Sequence, residues 1–224
     1  LTCRDLIQSI VAAVDARDAY TSHHSDRVAA MAVVLARVLH LSEDDTTTVQ
    51  VAAFAHDIGK ISMSDAVLRK AGPLTDAERE EMRRCPVTGY DILRKVPQLQ
   101  RVALIVRHHH ERWDGRGYPD QLAGTAIPLG ARIIAVADSI DAMMSNRSYR
   151  PAMTAPVCHH EIEKNSGVMY DPQVVAAAMN CWDELVSRYT EVETPPTPYF
   201  DRLQLEHTRQ AHDYLLANQG SHIT

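Results

Sequence analysis

Two short stretches, His56-Asp57-Ile58-Gly59-Lys60 and His109-His110-Glu111-Arg112-Trp113-Asp114-Gly115-Arg116-Gly117-Tyr118-Pro119, bring metal-capable side chains and a glycine loop into one chain of 224 residues. Imidazole and carboxylate ligands suit divalent first-row metals. Neighbours on a helix point about 100° apart, so His56 and Asp57 cannot both face one distant point. Two metals a few ångströms apart can use both, which makes the pair a candidate for a multinuclear site. A lone His-Asp dipeptide is most often structural; the second histidine cluster is what lifts it. Asp138 and Asp141 lie three apart in an apolar stretch, share a helix face, and need a cation or donor there.

Holding these groups in place requires helices. Apolar residues recur at helical spacing, as in Val28, Met31, Ala32, Leu35, Val38 and Leu39, and strand-like alternation is scarce, which predicts an all-α domain. Thr21 or Ser22 can cap a helix running to about His40. Ser42 through Asp45 open the next, which should stop at Gly59, so that His56 and Asp57 fall in a last turn whose unpaired carbonyls favour a cation. Thr75-Asp76-Ala77-Glu78 reads as a capping box, and its helix should break near Cys85 because Pro86 disfavours α geometry before it. Another helix covers Gln98 to His110.

From Asp114 to Gly130, four glycines and two prolines predict an ordered loop or set of turns. Helix returns at about Ala131 and carries Asp138 and Asp141 within Arg132 to Met144. Asp171-Pro172 reads as an N-cap with proline at N1, opening a helix to about Tyr189. These elements make 1–190 the principal domain. Residues 191–198, with Thr194-Pro195-Pro196-Thr197-Pro198, form a stiff linker, and 199–224 a helical appendage with a sparse apolar stripe through Phe200, Leu203, Tyr214 and Leu215.

The net charge of −6 argues against a general nucleic-acid surface, while leaving room for a small anionic ligand bound locally. No apolar run is long enough to span a bilayer and no signal peptide is visible, so a cytoplasmic protein is expected. The four cysteines, Cys3, Cys85, Cys158 and Cys181, lack metal-knuckle spacing and suit reduced thiols, three of them as small core residues. Leu1 is compatible with a cut inside a longer chain that carries an input domain upstream.

His56-Asp57 with Gly59-Lys60, then His109-His110-Glu111, Asp114-Gly115 and Gly117-Tyr118-Pro119, resemble the HD-GYP family of cyclic dinucleotide phosphodiesterases. Further landmarks follow in the same order: Tyr20-Thr21, His24-Ser25, Gly72-Pro73-Leu74-Thr75, Ile127 to Arg132, Ala137-Asp138, Asp141-Ala142, Arg147, Tyr149-Arg150-Pro151 and Asp171-Pro172. The resemblance runs from about Val11 to Val186. It implies an all-helical HD-superfamily bundle with two or three central metals, commonly iron or manganese, and hydrolysis of cyclic di-GMP to pGpG and sometimes GMP by a hydroxide from a metal-bridging water.

On the matching positions, the resemblance implies His56, Asp57, His109, His110 and Asp138 as metal ligands, with His24 serving a further metal. Lys60, together with Asp57 the implied catalytic group, would meet the scissile phosphate. Arg147 and Arg150, one oriented by Asp141, would grip the substrate phosphates. Gly115, Gly117, Tyr118 and Pro119 form a loop for substrate or partner contact, or a structural turn. Glu111 is either a partner of a liganding histidine or a helix-surface glutamate. His108, His159, His160, His207, His212 and His222 match no ligand position and read as structural or exposed.

Two departures stand out. Cys85-Pro86-Val87-Thr88-Gly89 replaces an expected histidine ligand by a thiol, which can ligate and shift preference toward zinc, or pack as a small hydrophobe. Tyr20 stands where some members carry a glutamate supporting a third metal, which favours two. The leading expectation is a cyclic dinucleotide phosphodiesterase. The alternative is a degenerate module that binds nucleotide or a partner, such as a GGDEF-type diguanylate cyclase, without turnover; a mononucleotide phosphohydrolase fits the loop and paired histidines less well. A homodimer through Phe200 to Asn218 is a further expectation.

Overall fold

The computed structural model describes residues 3–17, 23–70, 72–146 and 151–191. Among these the chain is helical, its only β feature being an isolated bridge between Ser166 and Tyr170. The α-helices are α1 (Cys3–Asp15), α2 (His24–Val38), α3 (Glu43–Ala55), α4 (Asp65–Leu68), α5 (Asp76–Arg83), α6 (Cys85–Leu93), α7 (Gln100–His108), α8 (Leu129–Met144), α9 (Ala155–Lys164), α10 (Pro172–Asn180) and α11 (Trp182–Glu191). Short 3-10 turns cover Ile58–Ser62, Pro97–Leu99 and Gly124–Ala126. Arg147, Arg150, Tyr20, Thr21, Ser22, the linker and the appendage all lie outside the described residues, and the N-cap of α2 is His23 at φ 60°, without a side-chain cap, in place of the expected Thr21 or Ser22.

The centre is formed by α2, α3, α7 and α8, which pack on one another. Val28, Met31, Ala32 and Leu35 of α2 are fully buried, as are Ala52, Ala53 and Ala55 of α3 and Ile133, Ile134, Ala137 and Ile140 of α8. The alanines let the backbones approach, and the branched residues fill the space between them, each buried Ile or Leu contributing about 1.5–3 kcal/mol. Around this core, α11 covers α2, α9 and α10 lie against α8, and α6 joins α7 to the 3-10 turn after α3.

The start signals hold where they are described. Ser42 caps α3 by accepting from the Asp45 N–H, and Thr75 with Glu78 forms the reciprocal capping box of α5. Asp171 caps α10 by accepting from Gln173 N–H. The same Asp171 carboxylate, 3% exposed, takes a 2.5 Å ion pair from Arg132, fastening α10 to α8.

Three boundaries differ from expectation. The third helix ends at Ala55, and Gly59 is no C-terminal cap. It lies in the 3-10 turn, where an added Cβ would stand 2.0 Å from the Cys85 carbonyl oxygen, so it is glycine for close backbone approach. The helix expected to reach His110 stops at His108, leaving the histidine pair just past its end. The last helix is broken at Cys181, whose φ of −124° and ψ of 27° leave the helical region, so α10 and α11 are separate.

Asp171→Ala removes a cap and strands the half-buried Arg132, and is expected to cost about 3 kcal/mol in urea unfolding. Asp171→Asn keeps a capping oxygen and should cost measurably less. Equal losses for the two would mean that the capping oxygen contributes nothing beyond the ion pair to Arg132.

Candidate metal centre

Helix ends deliver the ligands. His56 follows the last residue of α3, and its Nδ1 donates to the Ala53 carbonyl at 2.7 Å. His109 follows α7 in the same way, its Nδ1 donating to the Val106 carbonyl at 2.6 Å. Each bond satisfies a carbonyl that the helix end leaves open and fixes the ring tautomer, so that each Nε2 carries a lone pair. From α2, His24 donates Nδ1 to Asp141 of α8 at 2.6 Å. This carboxylate-histidine pairing is what orients and strengthens a liganding imidazole.

The opposite ring nitrogens converge. His24 Nε2 stands 3.3 Å from His56 Nε2, 3.5 Å from Asp138 Oδ1 and 3.7 Å from Asp57 Oδ2, and His56 Nε2 is 3.5 Å from the same Asp57 oxygen. His24, His56 and Asp57 can each offer a ligand atom within 4.8 Å of one another. His109 extends the cluster, its ring centroid 5.2 Å from that of His56, and its buried Nε2 has no hydrogen-bond partner. An orphaned, lone-pair-bearing nitrogen beside carboxylates and imidazoles is the donor chemistry that a divalent cation satisfies, so these residues fit a metal. His110 lies next in the row, its ring 4.0 Å from that of His109 and 5.0 Å from that of Tyr118.

The local fields agree with this chemistry. Burial alone would push the Asp57 carboxyl up, but the charges of Lys60, His56 and His24 hold it well below the usual range. Burial, and then His56, push His109 down to about 4, which keeps its imidazole neutral. Burial and His109 likewise lower His110. Burial would lower His24, yet the Asp141 hydrogen bond and the Asp138 charge raise it on balance. A cation at His24 Nε2 would take the place of that proton.

Lys60 Nζ sits 2.7 Å from Asp57 Oδ2, at the edge of the cluster. Asp141, expected among the phosphate-binding groups, is 1% exposed, and its described partners are His24, Ser145 and Arg27, whose Nε donates to it at 2.5 Å. Arg27 was not expected; its only sequence signal is its place three residues after His24, on the same helix face.

Cys85 is 2% exposed and packs with Met63 and Val67 in a small apolar cluster, behaving there as a compact hydrophobe. Burial, and then the Asp57 charge, raise its thiol, so the thiolate a metal needs is disfavoured in this setting. Glu111 departs from both expectations. It is 4% exposed and accepts from the Asp120 N–H at 2.7 Å, tying down the glycine loop instead of a histidine. His108 is structural, bridging the Leu104 carbonyl and Asp120, which Arg107 also grips.

The loop is ordered around these ties. Gly115 has φ +77°, and a Cβ on Gly117 would lie 2.3 Å from Arg112 N, so both positions require glycine. Tyr118 precedes a cis proline, Pro119, and lays its ring beside His110.

Residues 3–174 match the HD domain family, and the chain belongs to it. It is 41% identical over 178 residues to the cyclic di-GMP phosphodiesterase response regulator RpfG of Xanthomonas campestris pv. campestris, covering 79% of this chain and 47% of that protein. It is 35% identical over 188 residues to the 3'3'-cGAMP-specific phosphodiesterase 2 of Vibrio cholerae, covering 83% of this chain and 36% of that one. The chain thus spans about half or less of the length of these relatives. The fold is shared with a crystal structure of a cyclic GMP-AMP specific phosphodiesterase of V. cholerae, at a TM-score of 0.62 and 21% identity over 85% of this chain and 54% of that one. The HD-GYP resemblance read from the motifs is borne out. No helix among the described residues is long and apolar enough to cross a membrane.

Because Asp141 orients His24, Asp141→Asn is expected to weaken metal retention about 10–100-fold in a chelator competition. An unchanged chelator midpoint would show that this contact has no bearing on the centre.

Proposed function

We propose that this chain is a metal-dependent phosphodiesterase that opens a cyclic dinucleotide, cyclic di-GMP or a close relative, to a linear product such as pGpG. The observation that carries the reading is the convergence of His24, His56 and Asp57 on one buried point, with Asp138 beside His24, the orphaned His109 nitrogen on the ring next to His56, and Lys60 at the edge. The names of relatives at up to 41% identity agree with it.

Two divalent ions, iron or manganese, with zinc as the third candidate, are the proposed cofactors. When bound, they polarise the phosphoryl oxygens and acidify a water near neutral pH. The residues do the remainder. His56 and His109 present Nε2 atoms on rings fixed by backbone carbonyls, and Asp57 and Asp138 supply the negative charge that holds cations in a helical interior. Lys60 offsets the charge that grows on the phosphoryl oxygens as the water oxygen bonds to phosphorus and the bond from phosphorus to the ribose oxygen breaks. The leaving alkoxide takes a proton and the product keeps a terminal phosphate, so atoms and charge balance. Arg147 and Arg150 remain the proposed grip on the phosphates.

The packing of Cys85 among apolar side chains favours one second reading, a module short of one imidazole that binds a nucleotide or a GGDEF-type partner without turnover. One comparison separates the two. Protein purified anaerobically and loaded with iron or manganese is expected to convert cyclic di-GMP, with Lys60→Ala reducing kcat about 10²–10³-fold. Full metal occupancy without turnover in the wild type, together with turnover gained in Cys85→His, would overturn the enzyme reading and identify the cysteine as the lesion.

A further inference from the structure

Many arginines among the described residues of this acidic protein are already paired. Arg17, Arg27, Arg79, Arg94, Arg101, Arg107, Arg112, Arg132 and Arg188 each have a carboxylate partner. Arg83, Arg84 and Arg116, like Arg37 and Arg69, form no carboxylate ion pair among the described residues, and these three line one groove of about 450 Å³ between the α5–α6 junction and the glycine loop. Three exposed guanidinium groups around one concavity repel one another, and the only carboxylate among the residues that line the groove is Glu80, with Asp114 attracting Arg116 from outside it. A site of that volume, within the roughly 300–1,000 Å³ usual for small-molecule pockets, gains most from an anionic occupant.

The position of the groove says which anion. Tyr118 forms its inner wall, with the Arg83 guanidinium 5.8 Å from its ring centroid. The same ring lies 5.0 Å from His110, next to His109 of the metal centre. The groove therefore opens one aromatic ring beyond the proposed ligands. Val87 and Thr88 of the first turns of α6 also line it, so the positive end of that helix adds to the arginine field. A cyclic dinucleotide carries two phosphodiesters and two purines on one ring. With one phosphodiester at the metals, the other half must extend past the first shell of side chains.

Resting on the proposed phosphodiesterase function, we infer that Arg83, Arg84 and Arg116 form a distal subsite that holds the second, non-scissile phosphodiester of the cyclic dinucleotide. Guanidinium forks donate to its oxygens, and Tyr118 supplies an aromatic wall between this subsite and the histidines. These residues touch the half of the substrate that does not react. They set affinity and leave the bond-breaking machinery alone.

The test compares wild type with an Arg83→Gln/Arg84→Gln/Arg116→Gln variant, both metal-loaded, with metal content and thermal transition measured to establish that each is folded and equally occupied. Equilibrium binding of cyclic di-GMP is read under metal conditions that do not support turnover, and steady-state hydrolysis is read separately. The expected result is a Kd and a KM raised about tenfold or more, a kcat within about twofold, and a weaker salt dependence of binding. An unchanged Kd and KM in a folded variant would overturn the subsite. If the wild type shows no hydrolysis, the phosphodiesterase reading fails on its own, and the binding arm still decides the groove: weakened binding in the variant supports it, and equal binding removes it. If the triple variant unfolds, the single Arg116→Gln variant takes its place under the same two criteria.

Discussion

Asp57 and Asp141 are carboxylates set inside a helical core, and an ionised carboxylate stays there only if cations and donors are packed against it. Asp141 is met by Arg27 and His24, both from α2, so the charge on α8 is neutralised from the neighbouring helix. Asp57 is met by Lys60, one turn further along its own segment, and by the histidines that face it. These pairings dictate the register of α2 against α8 and of both against the end of α3. Sliding or rotating any of the three by one residue would bury charge without a partner, at a cost of several kcal/mol. The apolar packing of Met31, Leu35, Ile133 and Ile140 stabilises the bundle, but many registers could bury such residues, whereas few could pair these charges.

The second recurring device is the imidazole placed just past a helix end. His56 after α3 and His109 after α7 each donate Nδ1 to the carbonyl three residues back. One bond does two things. It closes a carbonyl that the helix termination leaves open, and it commits the proton to Nδ1, so the lone pair lies on Nε2 toward the cluster. Stopping α3 at Ala55 and α7 at His108 is therefore part of how the site is made. A helix continued to Gly59 or to His110 would have spent those carbonyls on backbone N–H groups.

This also explains what could be read in the sequence. The all-α class, the caps at Ser42, Thr75 and Asp171, and the shared face of Asp138 and Asp141 are local or periodic signals, and each appears where expected. The helix ends at Ala55 and Cys181 were not legible, because tertiary contacts set them. Gly59 reads as an ordinary C-terminal glycine until the Cys85 carbonyl is found against it. The partners of Glu111 and Asp141 were equally hidden, since Asp120 and Arg27 are brought to them by the turn of the loop and by the packing of α2 on α8. Motif residues announce the chemistry; the groups that hold them are ordinary polar residues whose role exists only in three dimensions.

Charge distribution follows the same logic at a larger scale. With a net charge of −6, the protein as a whole repels a dianionic ligand, so binding depends on a few cations kept available near the centre. Several arginines among the described residues are tied to carboxylates elsewhere on the surface, as Arg101 is to Asp44 and Asp45 and Arg94 to Asp91. Such pairs contribute little to stability, but they remove those guanidiniums from competition for an anion. Among the described residues, those near the centre include Lys60, shared with Asp57, and the arginines of the groove beside Tyr118, which form no carboxylate ion pair. The field that a small anion meets is thus local, arising from which positive groups the fold leaves without carboxylates and not from overall composition.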